Sequence, residues 1–400
     1  MPKRILILTD SIAPPAYAPR VVSLCRYLVD KGYVCDVFSD CEEGVKPFSA
    51  NFGNWHHTAY YQTKSGRLHY IADKLFGARE RYFKTCIEKT IHVADYDTIF
   101  CSTCYYFPLQ TAYQLARKYH KPFIVDLRDV AEQWGNVPYM TNTVSSLRIV
   151  NIWLHRFFTF YNCNRRNHVL RAAKHVISIS PWHRDLLAKY NPSTHLIYNG
   201  FDENEFYPQN VINNKFIISY SGKIYNLDFR DPRLLFEALQ HIFEEKRIKR
   251  SDVELVFHID KNSINALQLL VARYRLSDIC HIDGYITKEQ LLPLMHDSSI
   301  LLVLTCKSTQ EGVHGIMGTK FYEALGCEKP VLCVRSDEDC LAQTITQTDA
   351  GIAGTDVTEV MNFILDKYHE WQKNGFTRQA VKNAKIFTRQ FQSEQIEKLL

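Results

Sequence analysis

The sequence lacks any long apolar run. No stretch of its 400 residues approaches the roughly 20 apolar residues of a membrane-spanning helix. We therefore predict no transmembrane segment. The chain also enters a strand-like pattern at once, at Ile5–Leu8, without the regions of a secretory signal. These absences together predict a cytoplasmic protein.

Motifs for metals and cofactors are missing as well. The first predicted βα turn has no G-x-G-x-x-G, which argues against a dinucleotide cofactor at that turn. Cys101 and Cys104 form a lone Cys-x-x-Cys with no second pair or histidine tail at zinc spacing. No Asp-x-Asp of the kind that holds a divalent ion is identified. The sequence thus predicts neither a metal site nor a cofactor.

The composition is that of an ordinary globular protein, with 46% hydrophobic and 23% charged residues. Twelve cysteines in so long a chain do not indicate a disulfide framework, so we interpret them as small core residues in a reducing compartment. The net charge of +5 is compatible with an anionic substrate or membrane surface. We predict no nucleic-acid partner.

The length allows two domains. We place an N-terminal domain at 1–208 and a C-terminal domain at 209–380, with the polar stretch 209–215 as the linker. A last helix is predicted at about 381–400.

Strand-like and helix-like patterns alternate in both halves, which predicts an α/β fold built from βα units. Predicted strands are 3–9, 33–38, 98–101, 121–129, 174–180, 194–202, 216–221, 253–258, 281–286, 300–305 and 331–334. Predicted helices are 20–29, about 68–93, 108–119, 148–171, 231 onward, 264–274, 287 onward with a capping box of Thr287 and Gln290, and 319 onward.

Residues 311–334 combine a glycine loop with the start of a helix. Gly312, Gly315 and Gly318 precede a helix that opens at Thr319, and unpaired N–H groups at such a helix start suit a diphosphate. Glu323, one turn in, could accept hydrogen bonds from two ribose hydroxyls. The other interpretation is an ordinary βα turn with a solvated glutamate. Gly326 is expected at the helix end, where a positive φ is favoured.

The segment 318–332, GTKFYEALGCEKPVL, resembles the donor-nucleotide motif of the retaining glycosyltransferases of family 4. The resemblance implies the glycosyltransferase B architecture, in which two Rossmann-like domains face each other across a cleft. It also implies a nucleotide sugar on the C-terminal domain and Glu323 on the ribose. Many members carry a second acidic residue where this chain has Gly315. The chain is more similar to a subgroup with a short loop and a lysine before the helix.

The same resemblance implies roles for other residues of the C-terminal half. Lys223, after Gly222, stands where relatives carry a "glycine-arginine" pair, and Arg230 matches a second basic residue, with Arg233 as a competing match. These cations would stabilise the leaving diphosphate, so Lys223, Arg230 and Glu323 are the predicted catalytic residues. Predicted donor-binding residues are Gly222, Tyr285, Ile286, Gly318, Thr319, Lys320 and Glu323.

Charged residues at strand ends of the N-terminal half are candidates for binding the acceptor. Asp126, Arg128 and Asp129 end a predicted strand, where open α/β sheets place ligands. Their other interpretation is an Asp–Arg ion pair that fixes a loop. Arg20, at a helix start, could meet an acidic substrate group or be an exposed arginine near the helix cap.

The predicted helix 148–171 mixes aromatic residues with arginine and histidine. Two interpretations stay open: a helix that lies on an anionic membrane, and a core helix with basic residues facing solvent.

The resemblance implies transfer of a sugar from a nucleotide-diphosphate sugar to a glycan or lipid-linked acceptor, with retention and without a metal, at the inner face of the membrane. A sugar-nucleotide epimerase of the same fold and a catalytically idle binding subunit are the alternatives.

Overall fold

The computed structural model describes residues 2–12, 18–41, 45–59, 76–134, 148–224, 227, 229–305, 313–334 and 339–400. The chain divides into two compact units. The N-terminal unit comprises Met1–Asn199 with Arg389–Leu400, and the C-terminal unit comprises Gly200–Thr388. Within each unit, helices and strands alternate along the chain, as the sequence predicts.

A seven-stranded parallel sheet forms the N-terminal unit, in the order β3-β2-β1-β4-β5-β6-β7. Its strands are β1 (Arg4–Thr9), β2 (Val34–Cys41), β3 (Asn54–Ala59), β4 (Thr98–Thr103), β5 (Phe123–Leu127), β6 (His175–Ser178) and β7 (Thr194–Leu196). Its helices are α1 (Pro19–Asp30), α2 (Ala78–Thr90), α3 (Leu109–Tyr119), α4 (Arg148–Ala172), α5 (Pro181–Ala188) and α12 (Arg389–Glu397).

The alternation of β1 explains why helices cover both faces of this sheet. Ile5 and Ile7 lie in one buried cluster together with residues of α1, whereas Leu6 and Leu8 lie in a second cluster with residues of α2 and α3. Successive side chains of a strand point to opposite faces. A strand that is apolar at every position therefore requires a core on each side.

The C-terminal helix α12 is held to α1 by a shared carboxylate. Glu397 accepts hydrogen bonds from the hydroxyls of Tyr27 at 2.6 Å and Tyr33 at 3.2 Å, and Ile396 is buried beside them. Burial and the Glu397 carboxylate raise the pKa of both tyrosines.

The C-terminal unit contains a six-stranded parallel sheet in the order β10-β9-β8-β11-β12-β13. Its strands are β8 (Phe216–Gly222), β9 (Val253–Ile259), β10 (Cys280–Asp283), β11 (Ile300–Leu304), β12 (Val331–Val334) and β13 (Gly351–Gly354). Its helices are α6 (Arg233–Glu244), α7 (Lys261–Arg273), α8 (Lys288–Asp297), α9 (Thr319–Cys327), α10 (Cys340–Thr348) and α11 (Val357–Asn374).

Local sequence signals place several of these ends correctly. The predicted capping box is confirmed: the Thr287 hydroxyl and the Gln290 side chain each accept from the other residue's backbone N–H. Several elements differ from the expectations. Strand β3 and helix α5 were not predicted, nor were α10, β13 and α11 after β12, and β7 ends at Leu196 rather than near 202. The helix expected at about 68–93 is seen as α2, and its part before residue 76 lies outside the described residues.

The expectation for Gly326 is wrong. Gly326 lies inside α9, and the residue with positive φ after the helix is Glu328, at +50°. Gly326 is instead required by packing. A Cβ at this position would lie 2.6 Å from Cδ2 of Phe201 and 2.8 Å from Cβ of Phe206. The two phenylalanines therefore approach the backbone of α9 directly.

We predict that Gly326→Ala lowers the free energy of unfolding by about 1–3 kcal/mol, because the added methyl overpacks the contact with Phe201 and Phe206. Helix propensity acts in the opposite direction, since alanine favours a helix by up to about 1 kcal/mol over glycine. Urea denaturation would measure the change. Gly284→Ala is the matched control, since a Cβ there meets no atom within 4 Å. Equal stability of both variants would contradict the packing explanation.

Candidate functional site

The strand order of the C-terminal sheet reverses between β8 and β11. Open parallel sheets bind ligands outside the carboxyl ends of the strands at such a reversal. Two of the predicted segments start at this point. Gly222 is the last residue of β8 and Lys223 follows it. The glycine loop that leads into α9 follows β11. The fold thus brings the predicted phosphate residues to neighbouring strand ends of one unit.

Helix α9 begins at the described part of the glycine loop, residues 313–318. Gly318 is the N-cap residue of α9. As a glycine it has no side chain to accept a hydrogen bond from the N–H groups of the first turn. A Cβ at Gly318 would meet nothing within 4 Å among its neighbours. Gly315 has φ of +67°, a conformation that glycine adopts readily. Gly312 and Glu311 lie outside the described residues. The helix start is therefore open to an anion, with N–H groups and the positive end of the dipole.

Lys320 and Glu323 form an ion pair one turn into this helix. The Nζ of Lys320 lies 2.9 Å from Oε2 of Glu323, and the side chains are 34% and 14% exposed. Glu323 is therefore a mostly buried carboxylate with a cation partner, and the alternative of a solvated glutamate is wrong. Thr319, directly before Lys320, is exposed at the helix start.

The end of β8 is fixed by two side chains that donate to one carbonyl. The hydroxyl of Tyr220 donates to the carbonyl oxygen of Lys223 at 3.0 Å, and Nη1 of Arg230 donates to the same oxygen and to the Tyr220 hydroxyl, the latter at 3.1 Å. A Cβ at Gly222 would lie 3.1 Å from the Tyr220 oxygen. The Lys223 side chain is exposed. Arg230 thus positions the backbone at Lys223 and adds a second positive charge.

Arg233, the competing match for the second cation, has a different role. Its Nη1 lies 3.1 Å from the carboxylate of Asp231, which also accepts from the Arg233 backbone N–H. The Asp231 carboxylate therefore satisfies the first backbone N–H of α6 and holds the Arg233 guanidinium beside it. The geometry therefore favours Arg230 over Arg233 as the cation next to Lys223.

A hollow beside the start of α9 lies between α8 and the strands β8 and β11. Its walls are mostly apolar, with two hydroxyls and one ammonium group. It is lined by Ser219, Ser221, Leu291, Leu294, Met295, Leu301, Leu302 and Lys320. Lys320 therefore borders both the ion pair and a largely apolar recess.

Tyr285 and Ile286 follow β10, at the edge of the sheet. Strand β9 separates β10 from β8, so these residues follow a strand that is not adjacent to the strand before Lys223. The side chain of Tyr285 is 61% exposed. An exposed aromatic ring suits stacking on a planar base, and the predicted role stays a prediction.

In the N-terminal unit, Arg20 and Asp126 form a buried ion pair. Nε of Arg20 lies 3.1 Å from Oδ2 of Asp126, which also accepts from the Ser102 hydroxyl at 2.8 Å. Nη1 of Arg20 donates to the carbonyl of Tyr198. Arg20 is only 5% exposed, so the interpretation as an exposed arginine is wrong. Among described residues, Nη2 of Arg20 and Oδ1 of Asp126 have no hydrogen-bond partner.

Arg128 and Asp129 lie at the same edge of the sheet. Arg128 forms an ion pair with Asp10, whose other carboxylate oxygen accepts from the backbone N–H of Cys104 at 3.1 Å. Burial raises the pKa of Asp129 to about 6, against the lowering effects of a hydrogen bond from Gln133 and of Arg128. The Asp–Arg ion pair expected within 126–129 is wrong in its partners, because Asp126 pairs with Arg20 and Arg128 with Asp10.

Sequence reasoning missed several residues of this region. Asp10 was available to it, since Asp10 directly follows the first strand. The buried Arg166 donates two hydrogen bonds to the partly exposed Glu132, at 2.6 and 2.7 Å. The two residues are 34 positions apart, so no local sequence pattern predicts the pair. His183 is fully buried on α5 next to this pair, and neither ring nitrogen has a partner among the described residues.

Acidic and metal-ligating groups do not cluster in the described part of the chain: no three His, Cys, Asp or Glu side chains are placed to hold a metal ion. Two Asp-x-Asp sequences do occur, contrary to the sequence interpretation. Asp95-x-Asp97 precedes β4 and so lies at its amino end. In Asp337-x-Asp339, the first aspartate lies outside the described residues.

Comparison with known proteins gives a match to one family model. Residues 19–205 match the family model Glycosyltransferase Family 4. The matched part, close to half of the chain, is thus similar to this family. The recognition of family 4 from the sequence is confirmed at the level of the family, although the match does not include residues 318–332. A search of curated protein sequences finds no significant match.

Solved structures of the glycosyltransferase B fold superpose on nearly the whole chain. HepE of Anabaena in complex with UDP and glucose has a TM-score of 0.62 at 15% identity, and sucrose-phosphate synthase from Thermosynechococcus elongatus has 0.63 at 17%. Each match covers 99% of this chain and 98% of the other. A UDP-N-acetylglucosamine 2-epimerase from Listeria monocytogenes has 0.56 at 12%, covering 99% and 95%. The fold-class prediction is confirmed.

We predict that His183 makes stability fall with acidity. Burial lowers the pKa of His183 to about 3. The nearby charges have smaller effects: Glu132 raises this pKa and Arg166 lowers it. The unfolded chain takes up this proton near pH 6.5, so the folded state loses stability as the pH falls below that value, by about 1.4 kcal/mol per pH unit. Urea unfolding between pH 7 and about 4 should therefore show the stability of His183→Leu declining less steeply than that of the wild type.

His92→Gln is the control, because the His92 side chain is 73% exposed. Its pH dependence should match the wild type. Parallel curves for His183→Leu and the wild type would show that His183 is protonated, or solvated, in the folded protein.

Proposed function

We propose that this protein transfers a sugar from a nucleotide-diphosphate sugar to a glycan or lipid-linked acceptor. One observation carries the proposal: the Lys320–Glu323 pair at the start of α9 and the Lys223–Arg230 corner lie at the carboxyl ends of neighbouring strands, where the sheet order reverses. The helix start and the cations suit a diphosphate, and the carboxylate suits the two ribose hydroxyls.

The chemistry assigned to these residues is stabilisation of the leaving group. Negative charge develops on the nucleoside diphosphate as the sugar–phosphate bond breaks, and fixed cations stabilise it. Lys223 and Lys320 supply side-chain charges, while Arg230 holds the backbone at Lys223 and adds its own. A lysine in place of arginine keeps the charge but gives up bidentate geometry. On this basis we propose that the reaction needs no metal, and we name no protein nucleophile.

A uridine nucleotide is the first donor to test. HepE of Anabaena was solved with UDP and glucose. In this chain the apolar hollow next to Lys320 and the exposed ring of Tyr285 are the places that we assign to the base side of the donor. The proposed reaction proceeds with retention, as the resemblance to retaining family members implies.

The acceptor is assigned to the N-terminal unit. Its strand ends present Arg128, Asp129 and the buried pair of Arg20 and Asp126. Asp129 retains a proton to a higher pH than an ordinary aspartate. Its ionised carboxylate can accept a hydrogen bond from an acceptor hydroxyl at neutral pH, and its protonated form can donate one at lower pH. We place the protein in the cytoplasm at the inner face of the membrane, where a lipid-linked acceptor is accessible.

An epimerase is the second candidate, because an epimerase structure shares the fold. Product analysis separates the two: an epimerase converts the nucleotide sugar without an acceptor, whereas a transferase releases nucleoside diphosphate only as the acceptor is glycosylated. A catalytically idle binding subunit would bind nucleotide and do neither.

We predict that one nucleoside diphosphate raises the melting temperature and that EDTA does not remove the effect. At about 100 times its Kd, a ligand stabilises the folded state by about 2.7 kcal/mol. Glu323→Gln should weaken the shift, because a neutral amide loses the charge that accepts the ribose hydrogen bonds and pairs with Lys320. A thermal-shift panel of diphosphates and nucleotide sugars measures this.

Glu359→Gln is the matched control. Glu359 is also an acidic residue near a helix start, on α11, and its replacement should leave the shift unchanged. If no nucleotide shifts the melting temperature of the wild type, the donor site is wrong.

We predict that Lys223→Met lowers kcat/KM about ten- to a hundredfold, since one charged hydrogen bond contributes roughly 1.5–3 kcal/mol. Binding of the nucleoside monophosphate should change little, because Lys223 is assigned to the leaving diphosphate. Initial rates of nucleotide release with a glycan acceptor mixture give the first value and calorimetry the second. Lys261→Met, on α7, serves as a lysine control. An unchanged rate would remove Lys223 from the catalytic set.

A further inference from the structure

Helix α4 has two different halves. Its last turns are packed: Val169 and Leu170 are fully buried, and the Gln110 side chain donates to the carbonyl of Arg165 at 3.3 Å. Its first turns expose large apolar side chains instead. These are Ile149 at 72%, Ile152 at 44%, Trp153 at 69%, Phe157 at 54% and Phe160 at 67%.

The exposed residues form one stripe, which we call the aromatic face. Positions 149, 152, 153, 157 and 160 recur at helical spacing, so they lie on one side of α4. Farther along, the outward positions 164, 168 and 171 are asparagine, histidine and arginine and are exposed. The same side of one helix is therefore apolar in its first half and polar in its second. A soluble helix normally keeps its outward side polar throughout.

The aromatic face continues beyond α4 to Phe76. The rings of Phe157 and Tyr161 are stacked, with centroids 6.3 Å apart, and the guanidinium of Arg165 lies 5.6 Å from the Tyr161 centroid. A Cβ at Gly77 would lie 3.2 Å from Nη2 of Arg165. This series of contacts places Phe76, itself 63% exposed, beside the same surface.

The charged residues of α4 itself have one sign. The 25 residues of α4 include five arginines but no aspartate or glutamate. Arg156 is exposed within the face, and the exposed Arg81 donates to the carbonyl of Phe76. Aromatic rings with arginines suit the boundary between phosphate headgroups and acyl chains.

We infer that the aromatic face of α4, with Phe76, docks on a phospholipid surface that carries anionic headgroups. The arginines decide between this partner and a second copy of the chain. Self-association through the same face would bring Arg156 and its copy together, and α4 has no acidic residue to separate them. An anionic bilayer satisfies the arginines and accepts the aromatic rings. The inference rests on the N-terminal unit alone, whereas the donor site belongs to the C-terminal unit.

Vesicle co-sedimentation of the full chain tests this surface. Vesicles of phosphatidylcholine alone are compared with vesicles in which one third is phosphatidylglycerol. We expect binding to the anionic vesicles that weakens as salt screens the charges. The double variant Trp153→Ser with Phe157→Ser should bind at least about tenfold more weakly, because each ring contributes by apolar burial. Arg156→Gln should reduce binding about fivefold, on the anionic vesicles only.

Leu269→Ser is the matched control, since Leu269 is an equally exposed apolar residue, at 67%, in the C-terminal unit. It should bind vesicles like the wild type. Circular dichroism of each variant shows whether it is folded, and the nucleotide thermal shift should be unaffected by the double variant. Two results would overturn the inference: equal vesicle binding by the wild type and the double variant, or a dimer in light scattering that the double variant abolishes while the wild type ignores vesicles.

Discussion

Parallel strand pairing is the constraint on which the rest of this structure depends. Every strand pair described in both sheets is parallel, so all carboxyl ends in a sheet meet at one edge. Parallel strands need long crossovers, and these put helices on both faces. The sheet order reverses once in each unit, at β1/β4 and at β8/β11. The charged side chains of the candidate sites lie at these two reversals, because the loops that leave the strands there diverge.

The two units treat charge differently. In the N-terminal unit, both partners of the Arg20–Asp126 pair are buried, and Arg166 is buried against the partly exposed Glu132. Removing one partner of such a pair typically costs 3–5 kcal/mol, because the other charge stays buried. These groups are therefore fixed in position. The C-terminal unit leaves Lys223 exposed and Lys320 one-third exposed. A cation at the surface can meet an incoming anion with a small desolvation penalty.

Sequence patterns predicted what local forces determine. Strands that are apolar at every position and the capping box at Thr287 depend on neighbours within a few residues, and both were predicted correctly. Contacts between distant residues were not predictable in the same way. Gly326 looked like a helix end, but its role depends on Phe201 and Phe206, over 100 residues earlier. Arg20 looked exposed because its partner, Asp126, lies on another strand.

The candidate site shows the same division. The glycine loop, Lys320 and Glu323 lie in one segment, so their neighbourhood follows from the sequence. Their pairing does not, since a lysine and a glutamate three residues apart in a helix can equally point to solvent. Strand β3 was missed for a related reason. Its residues are largely half-exposed, and it pairs only with β2 at the sheet edge, so it lacks the apolar run that identifies a central strand.

The ion pair at α9 has a consequence for what the proposed donor must offer. A ligand that takes Glu323 for its ribose withdraws the carboxylate from Lys320, and a partly buried cation is less favourable without a partner. A diphosphate on the same ligand supplies Lys320 with a new anion at the helix start. A nucleoside alone would satisfy the carboxylate but leave Lys320 without an anion. A free diphosphate would bind Lys320 but leave Glu323 without a hydrogen-bond donor. The pair therefore favours ligands that carry ribose and diphosphate together, which is the chemistry that a nucleotide sugar shares with its leaving group.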